Sequence, residues 1–176
     1  MMYRWMSPNE VSKIANIDRS ETIRVGYRFE NGALQQMVVN WDSPSWALEG
    51  TGEYTLAAEI RFCQSHLDKK GRMCGAFDAE TLVGMGILTP DIAPVTAQLA
   101  FLHVSKLYRQ QGIAGKIADI LFEEAKSGGA KQIYVSATPS GSAVGFYRSK
   151  GFEPTNTPIP DLFELEPDDI HMIKFF

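Results

Sequence analysis

The chain has 176 residues, 44% hydrophobic and 22% charged. These are globular proportions, and they argue against a disordered chain, a fibrous repeat or a coiled coil. With 17 Lys and Arg against 21 Asp and Glu, the net charge is −4. No global basic field exists to grip nucleic acid or an anionic membrane.

The length suits one domain over 1–176, large enough to fold without metal or disulfides. Cys63 and Cys74 cannot build a disulfide framework; they fit reduced thiols, with a single bridge left open. No apolar run approaches the ~20 residues that span a membrane. The opening MMYRWMSPNE lacks the basic-then-apolar order of a signal peptide. A soluble cytoplasmic protein of mixed α/β class is expected.

In chain order, 3–6 reads as a short strand. Ser7, Pro8 and Glu10 then give helix-start chemistry, and a helix is predicted over 8–18. Ile23, Val25, Tyr27 and Phe29 alternate with polar residues. Asn31-Gly32 follows, a strong hairpin turn signal, so 22–41 is predicted as a β-hairpin. The 42–52 stretch is turn-rich, and a helix is predicted over 53–68. A second hairpin spans 72–88 around Ala79-Glu80, and 89–94 reads as a loop.

The 98–105 segment is apolar on both faces, as in a buried central strand. An amphipathic helix follows over 112–126, a strand over 132–137 and a short helix over 140–150. A Pro-rich loop at 154–160 leads to two short strand candidates, 162–166 and 171–176. Strands 98–105 and 132–137 flank a helix and are predicted to run parallel. The sheet is therefore mixed.

The chemistry concentrates in two places. Strand 98–105 runs into Arg109-Gln110-Gln111-Gly112-Ile113-Ala114-Gly115, which opens a helix. Small residues there let the backbone approach a ligand, and free amides at a helix start hold phosphate. A Walker A loop does not fit, because Gln110 and Ile117 stand where Gly and Ser/Thr are needed; a dinucleotide G-x-G-x-x-G is also absent. A tight turn with no ligand is the plainer alternative. The second place is 140–152, SGSAVGFYRSKGF.

Arg109-x-x-Gly112-x-Ala114 resembles the R/Q-x-x-G-x-G/A signature of the GNAT superfamily of acyl-CoA-dependent N-acyltransferases. The 140–152 segment resembles that family's N-x-x-A-x-x-F-Y-x-x-x-G-F segment, with Ser140 where Asn is usual. The element order is also similar, and 22–50 fits least well.

The resemblance implies a GNAT-like fold, a central mixed sheet flanked by helices, with an extra hairpin near 22–41. It implies acetyl-CoA as donor. The amides of Arg109 to Gly115 would hold the pyrophosphate. Leu102, His103 and Val104 would pair with the pantetheine arm between the two parallel strands. Ser140 would make a weaker contact than Asn. Tyr147 would be the general acid that protonates the leaving thiolate. Lys106, Arg109, Lys116, Arg148 and Lys150 lie in or beside the motifs and can screen phosphate charge.

A carboxylate that some family members use as base falls at Gln98, and an amide cannot take that role. His103, Glu53, Glu59 and a water held by Gln98 stand as substitutes, although a lone His in a buried strand is more often a core residue. Trp41, Asp42, Trp46, Glu49 and Glu53 either wall an acceptor pocket suited to a cationic amine or pack and solvate the hairpin. Trp41, Trp46, Glu53 and Gln98 are the acceptor-site candidates.

His66, His103 and His171 have no metal-ligand spacing, and no metal is expected. The acidic 164–169 run reads as a solvated turn. The expected activity is acetyl transfer to a primary amine of a small molecule or peptide, by a monomer or homodimer with no nucleic-acid or membrane partner. The rival reading is a GNAT-fold acyl-CoA-binding module without catalysis.

Overall fold

A computed structural model describes every residue of the chain except Glu53. Glu53, one of the acceptor candidates, therefore lies outside the described residues. A seven-stranded sheet has the order β1-β4-β5-β6-β7-β9-β8, and β2 and β3 form a separate two-stranded sheet. The strands are β1 (Met2–Met6), β2 (Glu21–Glu30), β3 (Ala33–Ser43), β4 (Arg72–Asp78), β5 (Thr81–Ala93), β6 (Thr96–Val104), β7 (Gln132–Ala137), β8 (Glu153–Pro154) and β9 (Ile170–Phe175). The helices are α1 (Leu56–Asp68), α2 (Ile113–Ser127), α3 (Gly141–Ser149) and α4 (Pro160–Leu165). The sheet is mixed as expected: β6 and β7 are parallel, and the other pairs are antiparallel.

Two apolar layers cover the sheet. On one face α2 and α3 contribute Ile117, Leu121, Phe122 and Val144, which pack on Leu99, Ile133, Val135 and Met172. On the other face Ile14, Cys63 and Trp46 meet Met73, Met85, Ile87 and Phe101. The cysteines fall in different layers, and both are free thiols.

The Asn31-Gly32 turn forms as read. Glu30 pairs with Ala33, and the two turn residues take φ of 52° and 74°, the left-handed pair that a two-residue hairpin needs.

Four expectations are corrected. The predicted 8–18 helix is a 3-10 helix over Pro8–Asn16. Val11, Ile14 and Ile17, at 7%, 0% and 2% exposure, are buried at a spacing of three, the period of that tighter helix. The predicted 53–68 helix begins at Leu56, because Thr55 is its N-cap and accepts from the Ala58 amide at 3.2 Å.

The predicted 89–94 loop is strand as far as Ala93. Its ladder skips from Thr89↔Gln98 to Ala93↔Thr96, so Pro90 sits in the irregular stretch and its missing N–H costs no rung. The strand candidate at 162–166 is the helix α4. Pro160 supplies the preset φ of a first helical residue, and the Phe163 amide reaches the Ile159 carbonyl at 2.9 Å.

Candidate functional site

β6 and β7 share only three rungs, Thr96↔Gln132, Ala97↔Ile133 and Gln98↔Tyr134. Past Gln98 each continues on its other side. β6 pairs β5 as far as Val104↔Gly84, and β7 pairs β9 as far as Ala137↔Ile170. A bulge in the β5–β6 ladder, between Leu88↔Leu99 and Ile87↔Phe101, lies where the strands part. The sheet is thus split at its centre, leaving two facing strand edges without a ladder. Backbone groups in that position need partners, and an extended ligand can supply them. Leu102, His103 and Val104 lie on the split part of β6.

One lip of the split is the loop from β6 to α2. Gln110 and Gly112 take φ of 63° and 78°, both left-handed, and this curls the chain before the helix. Among the described residues no protein acceptor takes the amides of Gln110, Gln111, Gly112, Ile113, Ala114 and Gly115. A Cβ placed on Gly112 would meet nothing within 4 Å, so the loop faces open space. The 15-residue helix α2 adds its positive end there. The Lys150 ammonium lies 3.4 Å from where a Gly115 Cβ would stand, while bonding Asp119 at 2.7 Å. Buried Ile113 and partly buried Ala114 hold the helix start against the core.

Arg109 departs from the expected cradle. Its amide closes a 3-10 turn on the Lys106 carbonyl at 3.4 Å, so the free set begins at Gln110. Its guanidinium donates to the carbonyls of Val104 at 3.0 Å, Ser20 at 3.1 Å and Asp18 at 3.4 Å. Glu21 is 3.7 Å away. The side chain therefore fastens the segment that enters β2.

The other lip is the turn from β7 to α3. The Ser140 hydroxyl accepts from the Ala143 amide at 3.2 Å, so it serves as helix cap rather than as a free ligand contact. Farther along α3 is Tyr147, 8% exposed, its ring set edge-on to Phe146 and Phe152 at 5.3 and 5.4 Å. Burial, and then the charge of Asp169, push its hydroxyl well above the usual phenol range. At neutral pH it is a protonated phenol with a proton to give.

The hairpin joins the two lips. Arg109 pins the chain just before β2, and farther along the Tyr27 amide donates to the Pro139 carbonyl at 2.9 Å, with Gly26 bridging Ser140. The 22–41 hairpin is thus a strap from one lip of the split to the other.

Behind the strap lies a cleft of about 690 Å³. The hairpin lines it with Tyr27, Phe29, Met37 and Trp41; Pro139, Phe163, Asp168, Asp169 and His171 are among the residues lining it from the rest of the chain. Burial, then the charges of Glu166 and Asp168, raise the Asp169 carboxyl to about 7. The Tyr134 hydroxyl donates to His171 Nδ1 at 2.7 Å, and His171 Nε2–H donates to the Glu166 carbonyl at 2.9 Å. That chain ties the turn before β9 to the last β6–β7 rung.

The acceptor candidates separate. Trp41 lines the cleft. Trp46 does not: it is buried over Phe101 at 6.4 Å, and its indole N–H donates to Glu59 at 3.2 Å. Gln98 is buried in the last rung. His103 is half-buried and packs between Phe101 at 4.8 Å and Trp46 at 5.6 Å. Burial, then Arg19 and Arg109, lower its ring to about 4. Asp42 takes the Thr22 hydroxyl at 2.8 Å, and Glu49 is exposed.

Sequence reasoning passed over Tyr27, Phe29, Phe163 and Asp169. The acidic 164–169 run was the available signal for the last of these, but it reads as a solvated turn, whereas Asp169 is partly buried and lines the cleft.

The model of the Acetyltransferase (GNAT) family matches residues 36–152, about two thirds of the chain and both motif segments. The chain belongs to that family. No curated protein matches the sequence significantly. Among solved structures, a nourseothricin acetyltransferase superposes with a TM-score of 0.73 at 17% identity, covering 99% of this chain and 97% of that one. A putative streptothricin acetyltransferase from Bacillus anthracis, in complex with acetyl coenzyme A, gives 0.70 at 16% identity, with 99% of each chain covered. The PaiA N-acetyltransferase from Thermoplasma acidophilum, in complex with coenzyme A, gives 0.63 at 15% identity over 100% of both chains. At these identities the likeness is one of fold.

Proposed function

We propose that the protein transfers an acetyl group from acetyl-CoA to a primary amine. The observation that carries this reading is the split between β6 and β7, closed at one lip by the uncommitted 110–115 amides and at the other by α3 with Tyr147. The pyrophosphate would sit on those amides, with Lys150 beside it. The pantetheine would run down the split along Leu102 to Val104, pairing with strand backbone.

This path leads toward Tyr147, with the cleft behind the hairpin left for the acceptor. The amine attacks the thioester carbonyl directly. Backbone amides on the split part of β6, around Val104, stabilise the oxyanion. Tyr147 protonates the thiolate as it leaves. The family membership and the acetyl-CoA and coenzyme A complexes of structurally similar chains support the donor.

Free-thiol release with acetyl-CoA and a panel of primary amines tests this function. Release that depends on both acetyl-CoA and an amine is expected. Tight coenzyme A binding with no release on any amine would instead favour the non-catalytic binding module, a reading that the amide at Gln98 invites.

A further inference from the structure

The proposed transfer consumes a neutral amine, yet most amines are protonated at pH 7, so a group must take the ammonium proton. The candidates from the sequence are badly placed for this. Gln98 is an amide, Glu59 takes the Trp46 indole, and His103 is wedged between two aromatic rings. We propose that Asp169 binds the acceptor's ammonium in the cleft behind the hairpin and takes its proton, the acceptor being a cationic amine with a flat or apolar body. This rests on the acetyl-transfer reading above.

Four observations carry it. Asp169 lines the cleft, and among the described residues no hydrogen-bond donor contributes at its carboxylate, only burial and the charges of Glu166 and Asp168. Its backbone is fixed: its amide donates to the Glu166 carbonyl at 3.2 Å, and the next residue, Ile170, pairs with Ala137 at the end of β7. The next residue, Ile170, packs in the same core as Tyr147, and after burial it is the charge of Asp169 that raises the Tyr147 hydroxyl. Finally, Tyr27, Phe29, Trp41 and Phe163 line the same cleft, and aromatic rings attract cations over their faces. Of the charged cleft residues, Glu30, Asp168 and Asp169 outnumber Arg28, which pairs with Glu30 at 3.4 Å.

The protons balance. R–NH₃⁺ gives one proton to Asp169, and the freed lone pair forms the C–N bond. The C–S bond breaks, and the thiolate takes the Tyr147 proton. The second nitrogen proton replaces the one Tyr147 lost, and Asp169 releases its own to solvent. The titratable and charged groups around Asp169 are Glu166 and Asp168 on its own segment, His171 on β9, Arg28 and Glu30 on the hairpin across the cleft, and Tyr147 on α3, which feels its charge. Burial, and then the acids Glu166 and Asp168, hold its carboxyl within reach of neutral pH, where a base is most effective.

The test uses the full chain with acetyl-CoA, and spermidine and streptothricin as acceptor probes, between pH 6 and 9.5. Asp169→Asn should lower kcat/KM for the amine about 100-fold or more at pH 7, the usual loss for a general base. Its rate should then climb about tenfold per pH unit, because solution must now supply neutral amine. Calorimetric binding of coenzyme A should stay within about twofold of wild type, and Asp169→Glu should recover much of the loss.

Wild-type turnover with an Asp169→Asn variant of unchanged rate and pH profile overturns the role of Asp169 alone. So do equal losses in both variants without a change of pH profile, the pattern of a merely structural side chain. No thiol release by wild type with any amine overturns the acetyl-transfer reading, and this proposal with it.

Discussion

Gln98 and Tyr134 form the last rung of the parallel β6–β7 ladder, and the sheet opens immediately beyond them. The rung explains why an amide is suitable at 98. The site is buried, and an unpaired carboxylate there would lose its solvation with no cation to replace it. Gln98→Ala should therefore cost less than about tenfold in acetyl transfer, against the about 100-fold that loss of a general base costs. Steady-state thiol release checks this.

Tyr147→Phe separates chemistry from packing. The ring stays between Phe146 and Phe152, so thermal stability should hold within about 0.5 kcal/mol. Acetyl transfer should fall about 100-fold or more as the thiolate loses its proton donor. Coenzyme A affinity should be unchanged by calorimetry. An unchanged rate would remove Tyr147 from the role.

Gly112 combines a φ of 78° with open space over its Cα. Gly112→Glu should cost roughly 1–2 kcal/mol in backbone strain. It should also place a negative side chain where phosphate approaches, raising the coenzyme A Kd at least about tenfold, or ~1.4 kcal/mol. If Kd stays put while stability falls, the 110–115 amides do not hold the donor.

Arg109 binds three carbonyls through a planar fork that a lysine cannot reproduce. Arg109→Lys should cost about 1–3 kcal/mol by leaving partly buried carbonyls without donors. The damage should be local to the entry of β2, so hydrogen exchange should speed up most across the hairpin and the cleft.

His66 gives a stability signature in acid. Its ring is buried with Nδ1 2.8 Å from the Thr89 hydroxyl, and burial, then Lys69, lower its pKa to about 4 from the usual 6.5. The unfolded chain thus binds a proton between these values that the folded chain refuses. Stability is fully present above pH 6.5 and is lost as pH falls toward 4, on the order of 2–3 kcal/mol. His66→Gln should flatten that slope in denaturant titrations. Asp169 runs the other way: its raised carboxyl costs stability as pH rises from 3.8 through about 7.

Much of this was legible in the sequence because local rules held. The Asn31-Gly32 turn, the parallel β6–β7 pair, the Gly112 loop and α3 each carry their own signal in composition and period. What escaped depended on distant partners. Nothing near Trp46 announces Phe101 and Glu59 as its neighbours, so it resembled Trp41 as a pocket candidate. The acids at 164–169 look solvated one by one. Only the pairing of Ile170 with Ala137, and the hairpin lying across both lips, bring Asp169 to a cleft.

The most direct measurement is a crystal structure with coenzyme A and a bound cationic amine. The pyrophosphate should lie on the 110–115 amides, with the pantetheine between β6 and β7 beyond Gln98. The thiol should point toward Tyr147, and the amine should sit behind the hairpin against Asp169. Coenzyme A bound outside the β6–β7 split, or an amine held away from that cleft, would contradict it.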